Sequence, residues 1–268
     1  MRKYAHVIAI GIQNTLVYRV NFLFRATFGL IPLLATILLW RAIFEGRVDP
    51  GGVGGYGLAQ MTTYYLVVSL VTMLTGVTDD DWQIATDIRE GAINQFLLKP
   101  INYLGYRLCL YFSGRVIYTT FALLPVGLFI FFLREYAVLP PDLATFGLFL
   151  ISVILTGLLQ FLISFSMAML AFWVLEVSTF IFILYALEFL AGGHLFPLDI
   201  LPPPLLDLLF LTPFPYLLFF PVSIYLGRTT GAEIWQGLGI QAMWVVAAAI
   251  VARLVWERGL KRYSAYGG

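Results

Sequence analysis

With 60% hydrophobic and only 12% charged side chains, this chain of 268 residues cannot dress a water-soluble globule; soluble domains carry about 25% charged residues. Sixteen basic and fifteen acidic residues leave a net charge of +1, which gives no basic footprint for nucleic acid. A soluble enzyme is excluded, and an all-α integral membrane protein with a single domain over 1–268 is expected.

The N-terminus, MRKYAHVIAIGIQNTLVYRVNFLFR, is interrupted by Arg19 and Arg25 and has no small-x-small site before the next apolar run. A removable signal peptide is therefore not expected. Within 1–20, Tyr4, Ile8, Ile12 and Leu16 recur at helical spacing, with Arg2, Lys3, Gln13 and Arg19 left for water. That pattern predicts an interfacial helix along the inner leaflet, although Val7, Ala9 and Ile10 blur it. Seven apolar stretches follow, approximately over 22–44, 57–77, 108–133, 143–172, 177–196, 205–227 and 235–256. A crossing needs about 20 residues.

Between the first two stretches, EGRVDPGGVGGYG packs five glycines between Gly51 and Gly57 and reads as a flexible outer loop. It is not a phosphate cradle, because GxxxxGK[ST] is absent here and throughout the chain. After the second stretch comes TDDDWQIATDIREGAINQFLLKP (78–100), which holds five of the fifteen acidic residues: Asp79, Asp80, Asp81, Asp87 and Glu90. Trp82, Ala85, Ile88, Ala92 and Phe96 form an apolar stripe at three- and four-residue spacing. Thr78 or an aspartate would cap the start, and Pro100 marks the stop. A continuous amphipathic helix over 80–98 is expected on the inner face, with Gly91 in its middle, where close packing or a bend would be needed to justify it.

REYAVLPPD (134–142) is a short outer turn, and Trp173 to Val177 is a tight inner one. The fourth stretch carries Ser152, Gly157, Ser164 and Ser166, which permit close helix packing. Lys and Arg gather near the inner ends of the crossings and in the basic tail 253–268, so both termini are expected inside. That requires an even number of crossings. The stretch 205–227 is the one to set aside: it carries Asp207, Pro213, Pro215 and Pro221 and follows Pro202–Pro203–Pro204. Proline removes an amide donor and clashes with the preceding turn. Six transmembrane helices plus a broken re-entrant element on the outer side is the expectation.

Cys109 is the only cysteine, which rules out an intramolecular disulfide and a Cys-rich metal site. His6 and His194 fall on opposite sides, so no metal site is expected, and no catalytic Ser–His–Asp set can be assembled. His194 reads as a turn residue. Arg107 and Arg115 are expected to snorkel or pair at the inner boundary. Glu188 lies about 18 Å along a helix from Glu176. An ionisable group at that depth usually faces a bundle interior or an aqueous path; a structural partner and an outer-boundary position are the other readings.

The block REGAINQFLLKP (89–100), the segment GGHLFPLDILPPPLLDLLFLTPFPYLLFFP (192–221) and the ending WERGLKRYSAYGG (256–268), set in a six-span pattern, resemble the permease subunits of type-2 ABC exporters. The likeness covers essentially the whole chain and extends, within that class, to a group of bacterial permeases of uncharacterised substrate. The resemblance implies an elbow helix at 1–20, a coupling helix at 80–98 and re-entrant outer helices at 193–227. It also implies two cytoplasmic ABC ATPase subunits as partners, a second permease subunit, identical or related, and the bacterial inner membrane. ATP and Mg would be used by the ATPases, with no cofactor on this chain. Trp82, Ala85, Asp87, Ile88, Glu90, Gly91 and Phe96 would face the ATPase; Glu188, Phe196 and Pro197 are candidates for pathway or gate. Two competing readings are a stand-alone secondary transporter, which predicts inverted repeats and embedded charge pairs, and a lipid-modifying membrane enzyme.

Overall fold

The computed structural model describes residues 2–46, 52–77 and 80–263, with Arg2, Asp80 and Asp81 described by backbone alone. Thr78 and Asp79, two of the expected caps of the acidic helix, lie outside the described residues, as do Gly51 and the tail beyond Tyr263. The regular elements are helices. α1 (Arg2–Leu16), α2 (Arg19–Glu45) and α3 (Leu58–Thr75) lead to α4 (Asp80–Arg89) and the short α5 (Asn94–Leu97). Then come α6 (Tyr103–Phe132), α7 (Leu143–Ala168) and α8 (Ser178–Ala191). The chain closes with α9 (Pro203–Phe210), α10 (Phe219–Tyr225) and α11 (Ala232–Arg262).

Among the described residues, five helices are long and apolar enough to cross a membrane: α2, α3, α6, α7 with the 3-10 turn that prolongs it to Phe172, and α11. α8 is apolar but has 14 residues, which reach about 21 Å against an apolar core of about 30 Å. The stretch expected to cross over 177–196 is thus a shortened helix that stops before Gly192–Gly193. The stretch 205–227 breaks where its prolines fall. Pro203 and Pro204 start α9, where their missing amides cost nothing. Pro213 and Pro215 hold a 3-10 turn at Phe214–Leu217, and Pro221 sits in the first turn of α10.

Local caps explain the helix starts. The Asn102 side chain accepts from the Gly105 amide at 2.9 Å at the head of α6. Asp142 accepts from the Thr145 amide at 2.7 Å at the head of α7. The same amide and the Thr145 hydroxyl hold the Asp142 carboxyl below its usual range.

α3 is buried along most of its length and packs against α2, α6, α7 and α10. One end of the bundle gathers α1, α4, α5, the head of α6 and the tail of α11; it is called the α4 end below. Its core is built from Ile84, Ile88, Ile93, Tyr103, Phe165 and Met169 among others. The opposite, α9 end has its own core of Tyr56, Met61, Tyr64, Leu198, Phe219 and Val222. Between them lies a polar seam. Gln241 of α11, fully buried, donates to the Tyr216 carbonyl at 2.9 Å, to Thr156 Oγ1 at 3.0 Å and to the Ser152 carbonyl at 3.1 Å. Ser152 Oγ donates back to Gln241 Oε1 at 2.9 Å. In an apolar medium such ties are the available glue between helices. Ser152, expected only to permit close packing, is a partner in this seam.

Candidate functional site

The charged block folds as an arm at the α4 end. The expected continuous helix over 80–98 is divided: α4 stops at Arg89 and α5 starts at Asn94. The cause is Gly91, whose φ of +76° is a left-handed conformation that suits glycine. Across this turn the Ile93 amide returns to the Asp87 carbonyl at 3.0 Å. Gly91 is therefore the hinge between two helices rather than a mid-helix residue.

Asp87 points into the bundle. It forms a buried ion pair with Arg107 of α6 and accepts from Tyr103 Oη at 2.9 Å. Arg107 Nε donates to the same Tyr103 Oη at 3.0 Å, and Gln83 Nε2 donates to Asp87 Oδ1 at 3.2 Å. The Tyr103 ring stacks on Trp256 of α11 at 5.1 Å with a 10° tilt. One carboxylate thus ties α4 to α6, and one ring carries the tie on to α11. Ala85 and Ile88 are buried with Ile84, so the inward stripe runs through Ile84, Ala85 and Ile88 and not through Trp82. Trp82 is 40% exposed, and Glu90 is exposed. Phe96 is half-buried, its ring 4.8 Å from Tyr106. Of the seven residues predicted for an outward contact, Ala85, Asp87 and Ile88 face inward, Trp82 and Glu90 outward. Arg89 Nη1 donates to the Leu175 carbonyl at 3.1 Å, which fastens the arm to the α7–α8 turn.

A cavity of about 650 Å³ runs along α3 between α2 and the end of α8. Its walls include Arg25 and Trp40 from α2, Ser69 and Thr72 from α3, Arg115 from α6, and His194. A side cavity of about 210 Å³ is lined by Thr72, Gln160, Tyr185, Glu188 and His194. Gln160 Nε2 donates to Glu188 Oε2 at 2.9 Å. Glu188 and His194, the first read as embedded and the second as a turn residue, meet in this one space. Phe196 and Pro197 line neither cavity. Pro197 is buried and precedes a 3-10 turn at Leu198–Ile200.

The segment before that turn is held by two tyrosines of α3. Tyr64 Oη donates to the Gly193 carbonyl at 2.5 Å, and Tyr65 Oη to the Leu195 carbonyl at 2.5 Å. Trp40 Nε1 in turn donates to Tyr65 Oη at 2.8 Å. At the α9 end Arg228 Nε pairs with Asp199 at 2.8 Å, and Tyr56 Oη donates to the same carboxylate at 3.0 Å. The Arg228 guanidinium lies 3.9 Å from the Tyr56 ring centre. Burial, and then the Asp199 charge, push the Tyr56 phenol well above its ordinary pKa. Asp199 and Arg228, bonded at this end, bracket the segment that reaches the Gln241 seam at Tyr216. Sequence reading missed Tyr56, Tyr64, Tyr65 and Gln241; the available signal was polar side chains inside apolar runs.

Among the described residues, no three of His, Cys, Asp and Glu converge as a metal site would require. Long apolar helices around a groove of mixed apolar and polar lining are the construction of a multi-pass membrane protein. Residues 30–267 match the profile of a family described as ABC-2 family transporter protein. The chain belongs to that family, a permease-type transporter family and not a catalytic one. No curated protein and no solved structure matches it.

Proposed function

We propose that the chain is the permease subunit of an ATP-driven exporter, with its α4 end and both termini in the cytoplasm of a bacterial cell. Two separate ATPase subunits hydrolyse ATP with Mg, and a second permease subunit, identical or related, completes the pathway. The chain crosses the membrane six times, the shortened α8 being the fifth crossing. Residues 193–227 re-enter from the outer side, and α1 is an elbow on the inner leaflet. The cargo is hydrophobic or amphipathic.

The observation that carries this reading is the construction of the α4–α5 arm. Its inner face is locked to α6 and α11 through Asp87, Arg107, Tyr103 and Trp256. Its other face offers Trp82, Glu90 and Leu97 to the surroundings. A helix anchored this way transmits a push, and an exposed tryptophan beside a carboxylate suits a protein groove. The test is co-expression with the ATPase encoded beside the permease, followed by affinity purification in mild detergent. The wild type is expected to bring the ATPase with it, and the pair Trp82→Ala with Glu90→Lys to lose it while keeping the permease's thermal midpoint. Recovery of equal ATPase with that variant refutes the docking face.

A further inference from the structure

A second cavity, of about 410 Å³, lies between α1, α2 and α6 at the α4 end. Its lining is polar on three sides: Asn14 and Tyr18 from the α1–α2 junction, Asn21 and Arg25 from α2, Arg115 and Tyr118 from α6. The Arg115 guanidinium lies 5.0 Å from the Tyr118 ring centre, and Phe22 meets that ring edge-on at 5.5 Å. Nothing in the clamps described above uses Asn14, Asn21 or Arg25.

The charge around this cavity has one sign. α1 and α6 contain no Asp or Glu, and the only acid of α2 is Glu45, about 30 Å from Arg25 along the helix. Arg25 is exposed, and Arg115, at 7% exposure, is buried with its Nη1 3.5 Å from the Met73 carbonyl. Guanidinium forks and amide donors are the groups that recognise phosphate oxygens. The volume suits a headgroup and not a whole lipid. Apolar side chains next to it, Val17, Phe28 and Val116, are exposed and offer a path for acyl chains outside the cavity. Arg25, Arg115 and Tyr118 also line the large groove along α3, so one set of residues borders both spaces.

We infer that the α1–α2–α6 cavity binds the phosphate headgroup of a membrane-resident amphiphile and presents it at the side of the groove, which makes a phosphate-bearing amphiphile the cargo class. The inference rests on the proposed orientation, which puts this cavity at the inner leaflet. It does not depend on ATPase docking. Its test accordingly uses the full-length permease alone, purified in a neutral maltoside detergent.

Dioctanoyl phosphatidic acid, dioctanoyl phosphatidylcholine and inorganic phosphate are titrated calorimetrically. Phosphatidic acid is expected to bind one site per chain, phosphatidylcholine at least about tenfold more weakly, and inorganic phosphate not to compete at equal concentration. Arg25→Gln is expected to weaken phosphatidic acid about tenfold, the worth of one charge-assisted hydrogen bond. Asn21→Leu weakens it less, and Arg25→Lys keeps affinity within a few-fold. Arg25 and Asn21 are exposed, so these variants leave the fold intact where the buried Arg115→Gln is at risk. Arg253→Gln, at an exposed arginine of α11, leaves affinity unchanged. Equal binding of both lipids, an unaltered Arg25→Gln affinity, or full displacement by inorganic phosphate overturns the assignment. Loss of ATPase co-purification with lipid binding intact would instead strike only the docking reading.

Discussion

Replacing Asp87 with alanine removes one partner of an ion pair whose side chains are 11% and 6% exposed. The Arg107 guanidinium would remain in place without its carboxylate. Breaking a buried pair from one side costs about 3–5 kcal/mol, because the survivor is an uncompensated buried charge. The lower end applies here, since Tyr103 Oη stays within 3.0 Å of Arg107 Nε and continues to accept from it. For chains of 150–250 residues, 1 kcal/mol moves the melting midpoint by about 2–4 °C, so a fall of about 6–12 °C is expected. Intrinsic fluorescence is a suitable monitor, because Trp256 stacks on Tyr103 and reports on the same joint. The double variant Asp87→Leu with Arg107→Met should recover most of the loss, because an apolar pair of similar volume avoids desolvating either charge. Wild type, Asp87→Leu, Arg107→Met and the double variant form a double-mutant cycle, and a coupling energy above about 2 kcal/mol is expected for partners in direct contact. A single variant that melts within 2 °C of wild type, or a double variant no better than the sum of the singles, would refute the view that this pair holds the arm.

Two further perturbations probe the rest of the frame. Gln241→Leu strips the buried Ser152 hydroxyl of its acceptor and leaves the Tyr216 carbonyl only the longer bond from Thr156 Oγ1 at 3.3 Å, and is expected to cost about 1–3 kcal/mol; limited proteolysis between Leu211 and Leu218 should quicken, and an unchanged cleavage rate would count against the seam. Gly259→Ala would bring a Cβ within 2.2 Å of Phe172 Cδ2, an overpacking cost of about 1–3 kcal/mol, and adding Phe172→Leu should restore the thermal midpoint.

Hydropathy made the long helices legible because an apolar run of about 20 residues has few other homes. It also read the broken stretch 205–227, because proline acts on its own backbone and needs no knowledge of neighbours. What it could not reach were contacts set by tertiary packing. The phase of the arm is an example: periodicity admits Trp82 to the stripe as readily as Ile84, and only the Asp87–Arg107 pair decides which face turns inward. Gly91 was visible as an oddity in a helix, but a bend and a left-handed turn leave the same mark in sequence. Arg107 was expected to pair near its boundary, yet its partner sits 20 residues away on another helix. Glu188 was legible as an embedded acid, whereas Gln160 and His194, which share its cavity, come from other segments. The tyrosines Tyr64 and Tyr65 were lost among the fifteen of their kind; their value lies in the two carbonyls they hold.

The two ends of the bundle are fastened by different physics, and this bears on how a push at the arm would travel. At the α4 end the tie is a buried ion pair, a shared phenol and a stacked indole, enclosed by aliphatic side chains. Local opening there exposes a charge pair and an apolar core together, so α4, α6 and α11 move as one piece. At the α9 end the Asp199–Arg228 pair is about a quarter exposed. Water can replace each of its bonds, and such partly solvated pairs are worth about 1 kcal/mol or less. The carbonyl contacts from Tyr64 and Tyr65 are single neutral hydrogen bonds, each of about 1 kcal/mol net. The polar ties of the segment from Gly193 to Arg228 are therefore the cheaper ones, although Leu198, Tyr216, Phe219 and Val222 of that segment are packed in the α9-end core. That segment adjoins the cavity holding Glu188 and His194, and on the proposed reading a yielding of those ties would alter the width of the groove without unlocking the arm. Under that proposal the arm is the stiff handle and the α9-end ties are the ones that give, a division that follows from which polar pairs are buried and which are left within reach of water.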